Sequence, residues 1–178
     1  MLAEYGRVSI AFDTSARMQV TRGADGAFVL AESPLPAPIH KEYDVPGEGP
    51  LSWPLRFDVS RWTFFAAYAG AARVGGAAMV MDAPEIEMLG GSRDVALLWD
   101  IRVASSHRRR GVGAALLAAV EDRARARGAR TLLVETQDIN VAACRFYANA
   151  GFALWAVDGD AYPELPDEMQ LLWCKALR

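Results

Sequence analysis

The sequence predicts a mixed α/β fold, a twisted mixed β-sheet flanked by helices on both faces. Three observations carry this. Residues 95–103 form an apolar run, 111–127 a helical pattern and 131–136 a short β-rich run, and strand–helix–strand in that order implies a parallel crossover pair. Residues 62–68 and 73–81 are apolar runs around Gly70, an antiparallel hairpin with its turn near 69–72. After a second helical segment at 141–150, residues 152–158 and 169–177 again read as strands.

The bulk properties fit a single domain over residues 1–178. A chain this long buries about 70% of its unfolded surface and needs no disulfide or metal support. With 52% apolar and 23% charged residues the composition is ordinary for a globular protein, and the net charge of −3 does not favour wholesale nucleic-acid binding. No run approaches 18 apolar residues, so no membrane span is expected. The first ten residues carry Glu4 and Arg7 instead of a signal-peptide core, so a cytoplasmic location is expected. Cys144 and Cys174 sit in apolar surroundings and read as buried free thiols. His40 and His107 are far apart in sequence and lack cysteine companions, so no zinc site is expected.

In chain order, 7–12, 18–21 and 27–31 are candidate strands, and residues 23–26 read as a turn. Six prolines (34, 36, 38, 46, 50 and 54) follow within 21 residues. Proline lacks an N–H and restricts its neighbour, so this stretch is expected to hold neither a long helix nor a central strand. It reads as a functional loop or a mobile segment. Residues 82–93 are a connection. Residues 95–103 are apolar along most of their length, as a central strand covered on both faces should be. In the first long helix, apolar residues at 112, 116, 117, 120 and 124 make one face. Glu121, Asp122, Arg123, Arg125 and Arg127 fall on the outer side, the arginines near the C-terminus where cations suit the dipole. Gly128 and Gly151 are placed to end the two helices.

The junction between the apolar strand and that helix is the strongest functional signal. Arg108, Arg109 and Arg110 precede Gly111 and Gly113 at a helix N-terminus, where unpaired N–H groups and the helix dipole favour an anion. The two glycines lack a Cβ, so a phosphate can approach the main chain closely. This reads as a pyrophosphate cradle, and a solvated basic turn is the bland alternative. A P-loop is not present, and Leu116 stands where a Gly-x-Gly-x-x-Gly motif needs its third glycine.

Arg108-x-x-Gly111-x-Gly113 resembles the Arg/Gln-x-x-Gly-x-Gly/Ala signature of the GNAT superfamily of acetyl-CoA-dependent N-acetyltransferases. A second stretch, Glu135-Thr-Gln-Asp-x-Asn140-x-x-Ala-Cys-x-Phe-Tyr147 followed by Gly151-Phe152, is similar to the distal GNAT motif in the form found in streptothricin acetyltransferases. The resemblance runs from about Leu97 to the C-terminus. It implies a cofactor-binding and catalytic half at 95–178 and an atypical N-terminal half at 1–94, with acetyl-CoA as co-substrate. It also implies that the backbone of Ile101, Arg102 and Val103 pairs with the pantetheine amides. Arg108, Arg109, Arg110, Gly111, Val112, Gly113 and Ala114 would hold the pyrophosphate. Asn140, a natural helix cap, would also contact the pantetheine arm, and Tyr147 would protonate the departing thiolate.

For the general base Glu135 is favoured over Asp100, and water without a dedicated base is the remaining alternative. Many relatives carry a glutamate where this chain has Trp99. Asp100 is next to it but on the opposite strand face. Glu135 matches a glutamate used by some N-terminal amine acetyltransferases of the superfamily. A carboxylate in an apolar strand is unusual unless it is paired or working. Asp158, Asp160, Glu164, Asp167 and Glu168 are five acids within 11 residues with no Lys or Arg among them. With Glu42, Asp44 and Glu48 they suggest a negative rim for a cationic acceptor, a solubilising loop being the alternative. The expected activity is acetyl transfer to a primary amine of a small cationic acceptor such as a streptothricin-like antibiotic. A protein or peptide N-acetyltransferase and a non-catalytic acyl-CoA-binding module are the alternatives. Relatives are often dimers, so a homodimer is implied by analogy, with no metal, nucleic-acid or membrane partner.

Overall fold

The computed structural model describes residues 1–45 and 47–178; Pro46, one of the six prolines noted above, lies outside the described residues. The regular elements are α1 (Leu2–Tyr5), β1 (Phe12–Arg22), β2 (Phe28–Lys41), α2 (Trp53–Arg56), β3 (Thr63–Ala69), β4 (Ala72–Val80), β5 (Val95–Val103), α3 (Val112–Ala126), β6 (Thr131–Gln137), α4 (Val141–Asn149), β7 (Ala153–Asp158) and β8 (Gln170–Ala176). β1 and β2 form a two-stranded sheet, and the other strands follow the order β3-β4-β5-β6-β8-β7. The mixed α/β reading is borne out. The chain forms two compact units, one of Met1–Ala11, Glu42–Leu133 and Ala176–Arg178, the other of Phe12–Lys41 and Val134–Lys175.

In the first unit the expected hairpin is present. β3 and β4 pair antiparallel from Thr63↔Met79 to Ala69↔Ala72, and Gly70 supplies the positive φ of 59° at the turn. β4 pairs antiparallel with β5, but Ala78 faces Asp100 while Met79 faces Leu98, so Trp99 is the extra residue of a β-bulge. Both faces of β4 are closely covered, which explains its adjacent glycines. A Cβ on Gly75 would come within 3.2 Å of Leu116 and Val112 of α3. One on Gly76 would come within 2.7 Å of the Tyr5 ring of α1. Successive residues point to opposite faces, so helices flank β4 on both sides.

α3 buries Leu116, Leu117, Val120 and Ala124, a stripe in which each larger side chain contributes about 1.5–3 kcal/mol. Glu121 departs from the reading. Expected on the outer side, it is buried, and it accepts from the Arg125 guanidinium at 3.1 Å, one turn on. On the far face of β4, Tyr5, Trp53, Trp62 and Leu97 form an apolar core with Phe57, Phe64 and Trp99 packed against it.

In the second unit β1 and β2 are longer than expected. Residues 23–26 turn as predicted, with Gly23 N–H donating to Ala27 O at 2.8 Å and Gly26 at φ 80°. Residues 7–12 are not a strand; β1 begins at Phe12. The proline stretch needs correction, because 34–41 belongs to β2. The reason is topological. In a two-stranded ribbon every strand is an edge, where a missing N–H need not break a ladder. The register also jumps from Ala16↔Pro34 to Thr14↔Ile39, so Pro36 and Pro38 fall where no one-to-one pairing is required. α4 buries Val141, Cys144 and Tyr147 and ends where Gly151 takes φ 86°. β7 and β8 pair antiparallel from Ala153↔Cys174 to Asp158↔Gln170. Cys144 is buried as expected, but Cys174 is only partly so.

Candidate active site

The strand-to-helix junction lies wholly in the first unit. β5 ends at Val103, a 3₁₀ turn covers Ser105–His107, and the chain enters α3 through Arg108–Gly111. Arg109 at φ 59° and Gly111 at φ 84° both adopt the left-handed conformation. Alternation of this kind turns successive N–H groups into a concave nest. No side chain caps α3, and the amide of Ala115 bonds back to Gly111 O at 2.9 Å. The amides of Val112, Gly113 and Ala114 therefore stand at the positive end of a 15-residue helix. A Cβ on Gly111 would meet nothing within 4 Å, so the space over this backbone is open. Such a nest fits a diphosphate.

The three arginines do not act alike. Arg108 donates to Val103 O at 2.9 Å and to Ala11 O at 2.7 Å, so its guanidinium braces the loop. Arg109 and Arg110 are exposed.

On β5, Ile101, Arg102 and Val103 are opposite Ala77, Gly76 and Gly75 of β4. The Arg102 side chain, however, is buried, at 2% exposure. It donates to Asp100 at 2.9 and 2.7 Å, to Val8 O at 3.1 Å and to Asp44, and it lies 4.9 Å from the Tyr5 ring centroid. The Tyr5 hydroxyl also donates to Asp100. Burial opposes the Arg102 charge, but the Asp100 and Asp44 carboxylates outweigh it and hold the guanidinium firmly protonated. Burial, reinforced by the Asp100 charge, pushes the Tyr5 phenol well above its ordinary value. Asp100 is thus one member of a closed ion-pair cluster, a poor position for a group that must collect a proton from a ligand.

Glu135 lies in the second unit in a different environment. Its Oε1 accepts from the Tyr162 hydroxyl and its Oε2 from Gln170 Nε2 at 2.9 Å, while Gln137 Nε2 donates to the Tyr162 oxygen at 3.1 Å. Asp100, Asp138, Glu121 and Glu168 each have an arginine or lysine partner, and among the described residues no ion pair forms at Glu135. Burial raises its pKa above the ordinary carboxylate value, and the bonds from Tyr162 and Gln170 only partly offset this. Burial and the Glu135 charge raise the Tyr162 phenol in turn. Tyr162 and Gln170 are absent from the sequence reading. They lie 27 and 35 residues beyond Glu135, and no local spacing links them to it.

Tyr147 is 3% exposed, with its ring edge-on to Phe146 at 5.1 Å and to Phe152 at 5.4 Å. Asn140 caps α4, its Oδ1 accepting from the Ala143 amide at 3.1 Å. Asp138, two residues before it, is completely buried. It accepts from Arg17 Nε at 2.8 Å and from the Met169 amide at 2.9 Å, while its own main chain bonds Met18 and Met169. Its role is to join β1, the start of β8 and the loop before α4.

The acidic stretch is less negative than its composition suggests. Glu168 is buried against Lys41, and Arg17 donates to the Asp167 carbonyl, so cations arrive from β1 and β2. Asp158 accepts from the Asp160 amide at 2.8 Å. A cleft of about 440 Å³ runs between Arg17, Lys41, Ile139, Glu164 and Asp167. In the first unit, Asp44 is paired with Arg102 and Glu48 with Arg56, so two of the three acids expected to add to the rim are neutralised. Among the described residues no cluster of His, Cys, Asp and Glu is arranged to hold a metal ion, and no helix is long and apolar enough to cross a membrane.

Known proteins match both halves of this description. The acetyltransferase (GNAT) family model matches residues 32–152. Streptothricin acetyltransferase of Streptomyces lavendulae is 32% identical over 152 residues, 85% of this chain and 76% of that protein. Streptothricin acetyltransferase A of Bacillus subtilis (strain 168) is 42% identical over 80 residues, 44% of this chain, and the matched stretch spans about half of that relative, 46%. Among solved structures, nourseothricin acetyltransferase superposes with a TM-score of 0.77 at 26% identity, covering 99% of this chain and 92% of that one. A Bacillus anthracis structure described as a streptothricin acetyltransferase in complex with acetyl coenzyme A gives 0.79 over 98% and 93% of the two chains. Its 20% identity makes it a match of fold.

Proposed function

We propose that this chain, which belongs to the GNAT acetyltransferase family, transfers the acetyl group of acetyl-CoA to a primary amine of a small cationic antibiotic of the streptothricin type. The observation that carries the reading is the uncapped N-terminus of α3, entered through left-handed Arg109 and Gly111. Among the described residues no side chain caps that helix end, and a diphosphate suits its amides in charge and shape. The backbone of Ile101, Arg102 and Val103 would run beside the pantetheine arm, with Asn140 contacting it as well. Exposed Arg109 and Arg110 add charge at the diphosphate, and Arg108 contributes by fixing the loop.

Acetyl transfer requires an amine with a free lone pair and a proton for the leaving thiolate. Glu135 is the base in this reading: it has no counter-ion among the described residues, and burial raises its proton affinity. The amine nitrogen attacks the thioester carbonyl, the C–S bond breaks, the nitrogen's proton passes to Glu135 and Tyr147 gives its phenolic proton to the sulfur. Asp100 is a structural carboxylate in this account.

The acceptor assignment draws on the streptothricin acetyltransferases among the relatives. The test is a panel of streptothricin, other small polyamines and peptides, each offered with acetyl-CoA and scored by release of free thiol. Turnover of streptothricin above the rest is expected. Turnover of peptides alone would replace the small-amine reading, and binding of coenzyme A with no turnover of any amine would reduce the protein to a binding module.

A further inference from the structure

Glu135 is not simply buried; it is held at both oxygens by neutral donors from two other segments. Tyr162 reaches Oε1 from the connection between β7 and β8, and Gln170 reaches Oε2 from the first residue of β8. Tyr162 is itself oriented, because Gln137 donates to the phenolic oxygen and leaves its proton directed at the carboxylate. Glu135 and Gln137 are two residues apart on β6 and share one strand face, so the chain Gln137, Tyr162, Glu135, Gln170 closes over that face.

A carboxylate offers about four lone-pair directions. The two protein donors occupy one on each oxygen and stop the group from rotating. The remaining directions are left for an incoming N–H. A salt bridge would hold the group as firmly but would weaken it as a base, since a cation favours the ionised form far more than a phenol or an amide does.

We propose that Tyr162 is a positioning residue for acetyl transfer, its phenol fixing the Glu135 carboxylate in the orientation that accepts the amine proton. The proposal rests on Glu135 being the base. The Tyr162 bond also favours the ionised carboxylate, so its loss should make Glu135 take up a proton more readily. Among the described residues no charged side chain enters this balance: the groups that act on Glu135 are the phenol of Tyr162 and the neutral amide of Gln170, with Gln137 bonded to the phenol.

Two variants, Tyr162→Phe and Glu135→Gln, separate the possibilities. Tyr162→Phe keeps the ring and removes only the hydroxyl, and a thermal melt verifies that it folds. Two readouts are compared with the unsubstituted protein: the pH profile of kcat/KM with acetyl-CoA and streptothricin, and the ¹³C carboxyl titration of Glu135, which needs no substrate. Tyr162→Phe should lower kcat/KM about tenfold near neutral pH, as expected for one hydrogen bond to a charged group. The acid limb of its profile and the Glu135 carboxyl midpoint should move together to higher pH, with affinity for coenzyme A unchanged. Loss of turnover in Glu135→Gln with an unaltered profile in Tyr162→Phe would overturn the positioning role alone. Full turnover in Glu135→Gln would overturn the base assignment and the proposal with it. A carboxyl midpoint that stays in place in Tyr162→Phe would also overturn the proposal.

Discussion

Asp100→Asn separates a structural carboxylate from a catalytic one. Asp100 receives two hydrogen bonds from the Arg102 guanidinium, at 2.9 and 2.7 Å, and one from Tyr5. The pair is nearly dry, with side-chain exposures of 1% for Arg102 and 7% for Asp100. Asparagine has nearly the same shape, but it removes the charge and turns an amide donor toward groups that are themselves donors. Removing one partner of a buried pair costs about 3–5 kcal/mol. Arg102 retains Asp44 and the Val8 carbonyl, so the expected cost is lower, about 2–4 kcal/mol. At about 2–4 °C per kcal/mol for a chain of this size, the melting temperature should fall by roughly 4–16 °C. Urea unfolding followed by tryptophan fluorescence measures the loss directly, since Trp53, Trp62 and Trp99 belong to the adjoining core. The folded fraction should acetylate streptothricin with kcat within about threefold of the unsubstituted enzyme, because general-base loss would cost about 10²–10⁴. A variant of normal stability with kcat reduced a hundredfold would refute the reasoning and restore Asp100 as the base.

Tyr147→Phe should lower kcat by about 10²-fold or more, the range for general acid catalysis, while leaving coenzyme A affinity nearly unchanged; steady-state kinetics with calorimetry checks both. Glu135→Gln should lose turnover yet gain stability at alkaline pH. The raised pKa of Glu135 means its contribution to stability is full below the unfolded carboxylate pKa and is lost as pH rises through the folded value. The variant should therefore melt above the unsubstituted protein near pH 8 and level with it near pH 4, and a lower melting temperature near pH 8 would contradict the assignment. Gly111→Glu should abolish coenzyme A binding in calorimetry, because a carboxylate meets the diphosphate where φ is 84°. Gly111→Ala should cost only the left-handed strain of about 1–2 kcal/mol, measurable by urea unfolding.

Much of this protein is legible in its residues alone. The hairpin around Gly70, the helix α3 with its uncapped start after Gly111 and the Asn140 cap all depend on signals within one turn or a few neighbouring residues. Periodicity, capping chemistry and glycine geometry report such features directly. The proline stretch misled because proline's effect depends on whether a strand is central or an edge, and only the sheet's composition decides that. Glu121 misled because helical periodicity assigns a face but does not reveal that Arg125 can accompany a carboxylate inward. The sequence favours Glu135 over Asp100 as the base but does not rank them firmly, for the same physical reason. A carboxylate's proton affinity is set by what surrounds it, and the surroundings come from distant chain: Tyr5, Asp44 and Arg102 around Asp100, Tyr162 and Gln170 around Glu135. The acidic run shows the same limit, since Lys41 and Arg17 reach it from more than a hundred residues away. Local chemistry determined most of the elements and the uncapped start of α3, whereas long-range packing decided which charges are neutralised.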